Sequence, residues 1–101
     1  MENYKEIEIT KHAYLRMKQR NGWSKKTANR MVSRIYNSGK RPEEVKGYLR
    51  AWINTKVDEN AAEKDFVLYG QQLYIFIDNA MITVLPTPSK EYVLENIFCE
   101  V

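Results

Sequence analysis

The chain has 101 residues, of which 44% are hydrophobic and 29% are charged. This composition is typical of an ordinary globular domain rather than of a disordered segment. The single cysteine, Cys99, excludes an internal disulfide framework and a cysteine-rich zinc site. No stretch approaches the roughly 20 apolar residues of a membrane span. We therefore expect one domain over residues 1–101, in the cytoplasm and without a membrane partner.

The net charge of +3 combines two halves of opposite sign, +9 over residues 1–56 and −6 over residues 57–101. Between Lys11 and Arg41 the chain carries ten basic residues and no acidic one. A run of one sign is typical of a surface that binds a polyanion. The expected partner is therefore a nucleic acid, RNA or DNA.

The first half of the chain, over about residues 10–57, has the pattern of helices. Thr10 is a suitable N-cap for a first helix that ends near Arg20. Ser24 can cap a second helix, in which apolar residues recur at the helical period and which Gly39 would end. This second segment is the clearest amphipathic helix of the sequence.

A third predicted helix runs from Pro42 to about Val57, where Asp58-Glu59-Asn60 would mark its end, and Gly47 is an unfavourable residue within it. Proline is favoured in the first turn of a helix, and the acidic Glu43 and Glu44 are favourable near its positive end. Its buried stripe would consist of Val45, Tyr48, Leu49, Trp52 and Ile53.

The second half changes to strands, over about residues 65–98. Three runs of β-branched and aromatic residues have the length of strands, and they cover residues 66–69, 73–77 and 81–85. Short turns at Gly70-Gln71 and Asp78-Asn79 would join them into an antiparallel meander.

The two ends of the chain are less regular. Residues 89–101 fit either a helix or a fourth strand, and Ile7 and Ile9 could form a short extended lead-in. The predicted fold class is α+β, with about three N-terminal helices packed on one face of an antiparallel meander of three to four strands.

The outer face of the second helix lacks acidic residues that could pair with its cations at a spacing of four. One interpretation is an ordinary solvated face. The other is a nucleic-acid surface, because unpaired cations repel one another until a phosphate backbone neutralises them. Together with the end of the first helix, this surface would comprise Arg20, Lys25, Lys26, Arg30 and Arg34.

His12, Arg16 and Arg20 recur every four residues, so they share one face of the first helix. An imidazole exchanges its proton near neutral pH, which suits general acid–base catalysis. Arginines beside it could bind a phosphate and stabilise the charge of a transition state. The alternative is that His12 packs near a helix start while the arginines are solvated.

Thr83 is a second candidate, because it is the hydroxyl residue of an otherwise apolar strand. Threonine is also a good strand former, so a purely structural role is the alternative. By alternation it would share a strand face with Met81 and Leu85. One histidine and one cysteine in the whole chain disfavour a metal site, so we expect no metal and no cofactor.

The segment I-x-x-H-A-x-x-R-M-x-x-R, from Ile9 to Arg20, precedes an apolar hairpin that ends in Ile82-Thr83-Val84-Leu85. Together they resemble small phage and bacterial domains related to the RelE/ParE toxins, within the barnase–EndoU–colicin–RelE ribonuclease fold. The resemblance implies helices on one face of a curved antiparallel sheet and metal-independent RNA cleavage. It also implies that His12 is the acid or base, Arg16 the phosphate-binding cation and Thr83 a hydroxyl at the transition state.

The leading functional hypothesis is a small metal-independent endoribonuclease, toxin-like or phage-encoded, in which the RNA 2′-hydroxyl attacks its adjacent phosphate. A second hypothesis is a non-catalytic nucleic-acid-binding regulator that uses the basic helical face. A third hypothesis, compatible with the first, is that the basic face binds an acidic antitoxin or inhibitor protein. The catalytic hypothesis requires His12 and Thr83 to be close in the fold.

Overall fold

A computed structural model describes residues 7–57 and 63–96. The helices are α1 (Lys11–Asn21), α2 (Lys25–Ser38), α3 (Tyr48–Asn54) and α4 (Lys90–Asn96), with a short 3₁₀ helix at Pro42–Glu44. The strands are β1 (Glu8–Ile9), β2 (Lys64–Tyr69), β3 (Gln72–Ile77) and β4 (Ala80–Pro86). The predicted α+β class is confirmed.

Both predicted N-caps are confirmed. Thr10 Oγ1 accepts a hydrogen bond from the backbone N–H of Ala13 at 3.1 Å, and Ser24 Oγ accepts one from the N–H of Thr27 at 3.2 Å. These bonds satisfy donors that the first turn of a helix leaves without partners. Gly22 ends α1 in the left-handed region, with φ 70°, where a residue without Cβ is not strained.

The described strands form one mixed sheet in the order β1–β4–β3–β2. β2, β3 and β4 are the predicted antiparallel meander. The extended lead-in adds a parallel strand, since Glu8 pairs with Ala80 and Ile9 with Met81. The expectation of a purely antiparallel sheet was therefore wrong at this edge.

The expectation that the helices cover one face of the sheet was also wrong. Leu73, Tyr74, Ile75 and Phe76 of β3 are all buried. Because successive strand residues point to opposite faces, such a run requires both faces to be covered. One core lies under α1 and α2 and consists of Ala13, Met17, Ala28, Val32, Ile35, Val67, Tyr74, Phe76, Met81 and Val84.

The second core lies on the other face, where the 3₁₀ helix, α3 and α4 cover the sheet. Its buried members are Val45, Trp52, Ile53, Phe66, Leu73, Ile75 and Val93. The apolar stripe predicted for the third helix thus packs as expected, but on the face opposite to α1 and α2.

The third helix is not continuous from Pro42 to Val57 as predicted. It divides into the 3₁₀ helix and α3, with Gly47 between them in a conformation of positive φ, 75°. Glycine adopts this conformation without the Cβ clash that other residues meet, so the chain changes direction there. The predicted end of this helix at Asp58–Asn60 lies outside the described residues.

At the C-terminal end the helical alternative is correct, since α4 covers Lys90–Asn96, while the tail that follows lies outside the described residues. None of the helices in the described ranges combines the length and apolar character that a membrane crossing requires.

Candidate active site

The start of α1 is tied to strand β4 by Thr10. The backbone N–H of Thr10 donates to the carbonyl of Met81 at 3.1 Å, and its hydroxyl lies 3.4 Å from the carbonyl oxygen of Ile82. The same hydroxyl oxygen caps α1. One residue therefore both begins the helix and holds its first turn against β4.

β4 carries an irregularity at this point. Phe76 of β3 pairs with Met81, but the preceding Ile75 pairs with Thr83, so Ile82 is an extra residue without a cross-strand partner. An extra residue of this kind bends a strand and turns its side chains. The simple alternation expected from the sequence is therefore broken within β4.

The expected common face of Thr83, Met81 and Leu85 was accordingly wrong for Met81. Met81 belongs to the core under α1, whereas Leu85 packs against the core on the other face. Thr83 is half-buried beside the extra residue. β1 pairs only as far as Met81, so the outer edge of β4 at Thr83 faces the first turn of α1.

The structure brings the three predicted catalytic residues together. Thr83 Oγ1 lies 3.4 Å from His12 Nε2, across a separation of 71 residues in the chain. Arg16 Nε donates to the same His12 Nε2 at 3.5 Å. Both distances are at the long end of the range for hydrogen bonds. His12 is exposed and Arg16 is half-buried, so the imidazole is open to a ligand.

An arginine Nε–H can only donate, so in the contact with Arg16 the Nε2 atom of His12 is the acceptor. In the contact with Thr83, which partner donates depends on the ring nitrogen that carries the proton. A neutral imidazole with a lone pair on its exposed nitrogen is the form that a general base requires. Within the described part of the chain, the terminal guanidinium nitrogens of Arg16 make no hydrogen bond or ion pair and remain available to an anion.

Arg20 does not join this cluster. It is exposed in the last turn of α1, two helical turns beyond His12 and about 12 Å along the axis. No hydrogen bond in the described ranges connects it with His12, Arg16 or Thr83. Its position suits contact with a neighbouring phosphate of a long ligand rather than with the one beside His12.

The remaining predicted nucleic-acid residues lie on α2, and all four are exposed. None of them forms an ion pair with a carboxylate of residues 7–57 or 63–96. Lys25 stands over the ring of Tyr14, with 5.4 Å from Nζ to the ring centroid. Cations in the first turn of a helix are unfavourable next to its positive end. A bound phosphate would therefore stabilise the start of α2, where Lys25 and Lys26 lie.

A groove beside α1 is the feature that the sequence interpretation missed. It has a volume of about 590 Å³, and both apolar side chains and lysines line it. The lining residues include Lys11, Tyr14, Leu15, Lys18, Trp23 and Lys25. The one sequence signal was Leu15, an apolar residue on the polar side of the helical wheel, and its side chain is 53% exposed.

Within residues 7–57 and 63–96, no group of three histidine, cysteine or acidic side chains is placed to hold a metal ion.

No protein-family model matches the chain, and neither the curated proteins nor the solved structures contain a significant match.

Proposed function

We propose that this protein is a small metal-independent endoribonuclease, toxin-like or phage-encoded, that acts in the cytoplasm. The observation that carries the proposal is the approach of Thr83 Oγ1 to within 3.4 Å of His12 Nε2. Arg16 lies on the same imidazole, inside a run of the chain that has ten basic residues and no acidic one. The motif resemblance to the RelE/ParE group supports the same reaction and a related fold.

In this proposal His12 Nε2 accepts the proton of a ribose 2′-hydroxyl. The 2′-oxygen then bonds to the adjacent phosphorus, and the bond from phosphorus to the 5′-oxygen breaks. The 5′-oxygen departs on the side of phosphorus opposite to the 2′-oxygen and takes its proton from water, and the imidazolium then releases its proton to solvent. The products are a 2′,3′-cyclic phosphate and a free 5′-hydroxyl.

Arg16 and Thr83 act on the phosphate. The terminal N–H groups of Arg16 are in a position to donate to the non-bridging oxygens, where negative charge increases in the transition state. The hydroxyl of Thr83 donates a further hydrogen bond to the same group. When a phosphate enters, both side chains exchange their long bonds to His12 for shorter, charge-assisted bonds.

The decisive experiment incubates purified protein with RNA in EDTA and identifies the ends of the products. Wild-type protein should release 2′,3′-cyclic phosphates, and His12→Ala should not. Lys46→Ala is the matched control, because Lys46 is an exposed cation away from the site. Intact RNA with wild-type protein, or equal cleavage by His12→Ala, would refute the assignment.

A second candidate function is non-catalytic binding of a nucleic acid by α2. The exposed cations of α2 favour it, since none of them has a described carboxylate partner. Binding would then weaken steeply with salt, because phosphate contacts release counterions. Lys26→Gln with Arg30→Gln should abolish this binding and flatten its salt dependence, while His12→Ala leaves both unchanged.

The same basic surface is compatible with an acidic antitoxin or inhibitor protein. We propose such a partner only as a regulator of the endoribonuclease. It would compete with RNA for the cations of α1 and α2, so its addition should reduce both RNA binding and cleavage.

A further inference from the structure

The groove beside α1 has a layout that the proposed cleavage site does not use. Tyr14, Leu15 and Trp23 supply its apolar surface, and Lys11, Lys18 and Lys25 stand around it. It lies between α1 and the first turn of α2. Leu15 is 53% exposed there, so about half of its apolar side chain is open to solvent.

The charge around the groove selects an anionic ligand. Three of its lining residues are lysines, and the chain has no acidic residue between Lys11 and Arg41. A lining of apolar side chains and lysines fits a flat apolar group that carries negative charge on both sides. A nucleobase in a single strand has this character, since a phosphate precedes and follows it.

The shape favours a base over a helix of another protein. A volume of about 590 Å³ lies in the range of small-molecule sites. The lining residues all come from α1, the start of α2 and the turn between them, whereas a docked helix needs a groove that accepts anchors along several turns. The hydroxyl of Tyr14 bonds to Asn29, and Lys25 stands over its ring. Trp23 is partly buried against the core under α1 and also lines the groove, so the part of its ring that faces the groove is the aromatic surface available to stack on a base.

The groove and the candidate active site lie on adjacent strips of α1. Leu15 is three residues from His12, which places their side chains about 60° apart around the helix axis. Lys11 precedes His12 directly in the chain. A single strand that crosses α1 can thus place one base in the groove and a neighbouring phosphate at His12 and Arg16.

We infer that this groove holds an unpaired base of single-stranded RNA next to the phosphate that is cut. The inference rests on the proposed function for its choice of RNA as the ligand. Stacking on an aromatic ring accepts any base, so the groove provides selectivity for single strands rather than for a sequence. In a duplex the bases are paired and stacked, and the groove cannot receive one.

The test uses a short 2′-O-methyl oligoribonucleotide, which cannot be cleaved, and records its anisotropy together with tryptophan emission. Trp52 is buried on the other face of the sheet, so only Trp23 should respond. The single strand should quench the emission, and the same strand in a duplex should not. Trp23→Phe should retain binding, because phenylalanine still stacks, and should lose the quenching.

Leu15→Gln removes the apolar surface without changing the charge, and it should weaken binding of the single strand roughly fivefold. Leu94→Gln is the matched control, because Leu94 is also an exposed helical leucine but belongs to α4. Equal affinities of the two variants would overturn the inference, and so would unchanged Trp23 emission. Quenching by an acidic amphipathic peptide but not by the RNA would overturn it as well, and would assign the groove to a protein.

Failure of this inference is distinguishable from failure of the proposed function. Cleavage of ordinary RNA without quenching by the uncleavable strand would refute the groove and keep the endoribonuclease. Quenching and a Leu15 effect without cleavage would keep the groove and refute the catalytic role of His12.

Discussion

Thr83 Oγ1 of β4 and His12 Nε2 of α1 are 3.4 Å apart, although 71 residues separate them in the chain. Three local features produce this approach. Thr10 holds the start of α1 against Met81 and Ile82, the extra residue Ile82 turns the strand, and β1 ends before it can cover Thr83. The approach therefore depends on the edge of the sheet rather than on its core.

Replacement of Thr83 by valine tests the hydroxyl. Valine is nearly isosteric and is a good strand former, so the free energy of unfolding should change little. Loss of a hydrogen-bond donor to the transition state should lower kcat for RNA cleavage roughly 10- to 100-fold. Thr83→Ser should retain most of the rate. Unfolding in urea and single-turnover cleavage measure the two effects, and an unimpaired Thr83→Val enzyme would remove Thr83 from the mechanism.

Thr10 and Ser24 offer a matched pair of helix caps. Each hydroxyl accepts from a backbone N–H of its own first turn, but only Thr10 also reaches β4. Thr10→Ala and Ser24→Ala should each lower the free energy of unfolding by about 1 kcal/mol. Under conditions in which both variants are fully folded, only Thr10→Ala should lower the cleavage rate, because His12 loses its position against Thr83. Similar rates in both variants would mean that the cap alone matters.

Because the phenol of Tyr74 is buried, we expect the free energy of unfolding to fall at high pH. Burial raises the pKa of its phenol above the ordinary value of 10.0, and the hydroxyl donates to Gln72 Oε1 at 2.7 Å. Above about pH 10 the unfolded state loses this proton while the folded state keeps it, so the free energy of unfolding falls as the pH rises. This contribution is fully present below the unfolded pKa.

The measurement is urea unfolding of wild type and Tyr74→Phe between neutral and strongly alkaline pH. Lysines titrate in both proteins, so the difference between the two curves isolates Tyr74. The fall above about pH 10 should be shallower in Tyr74→Phe. Parallel curves would show that Tyr74 does not contribute.

Gly39 marks a close approach of α2 to the sheet. A Cβ at this position would overlap Cγ1 of Val67 and would lie 2.8 Å from the carbonyl oxygen of Ile35. Gly39→Ala should therefore lower the free energy of unfolding by about 1–3 kcal/mol. Ser38→Ala, at the exposed preceding residue, should have little effect. Equal thermal unfolding of the two variants would show that the chain accommodates the methyl group.

The starts of α1 and α2 could be predicted because the signal for a helix start lies within a few residues of sequence. Thr10 and Ser24 cap their helices as their hydroxyls predict, because a cap bond spans only three residues. The third helix was predicted too long, since the apolar stripe from Val45 to Ile53 continues at the helical period across the break at Gly47. Periodicity reports which side is buried and does not report whether the backbone is continuous.

The burial of both faces of the sheet could have been predicted from one feature of the sequence. Alternating strands have one apolar face, but the run Leu73-Tyr74-Ile75-Phe76 is apolar at every position. Such a strand is buried on both faces. The helices therefore had to divide between the two sides, with α1 and α2 on one and α3 and α4 on the other.

The sequence by itself determined the α+β class, the starts of α1 and α2 and the basic run from Lys11 to Arg41, because caps, strand propensity and charge are properties of short segments. It also placed His12 and Arg16 on one helix face through their spacing of four. Only the tertiary structure decided that Thr83 joins them and that a groove forms beside Leu15. Both depend on how α1 meets another element, and a single extra residue in β4 is enough to turn a side chain to a different face.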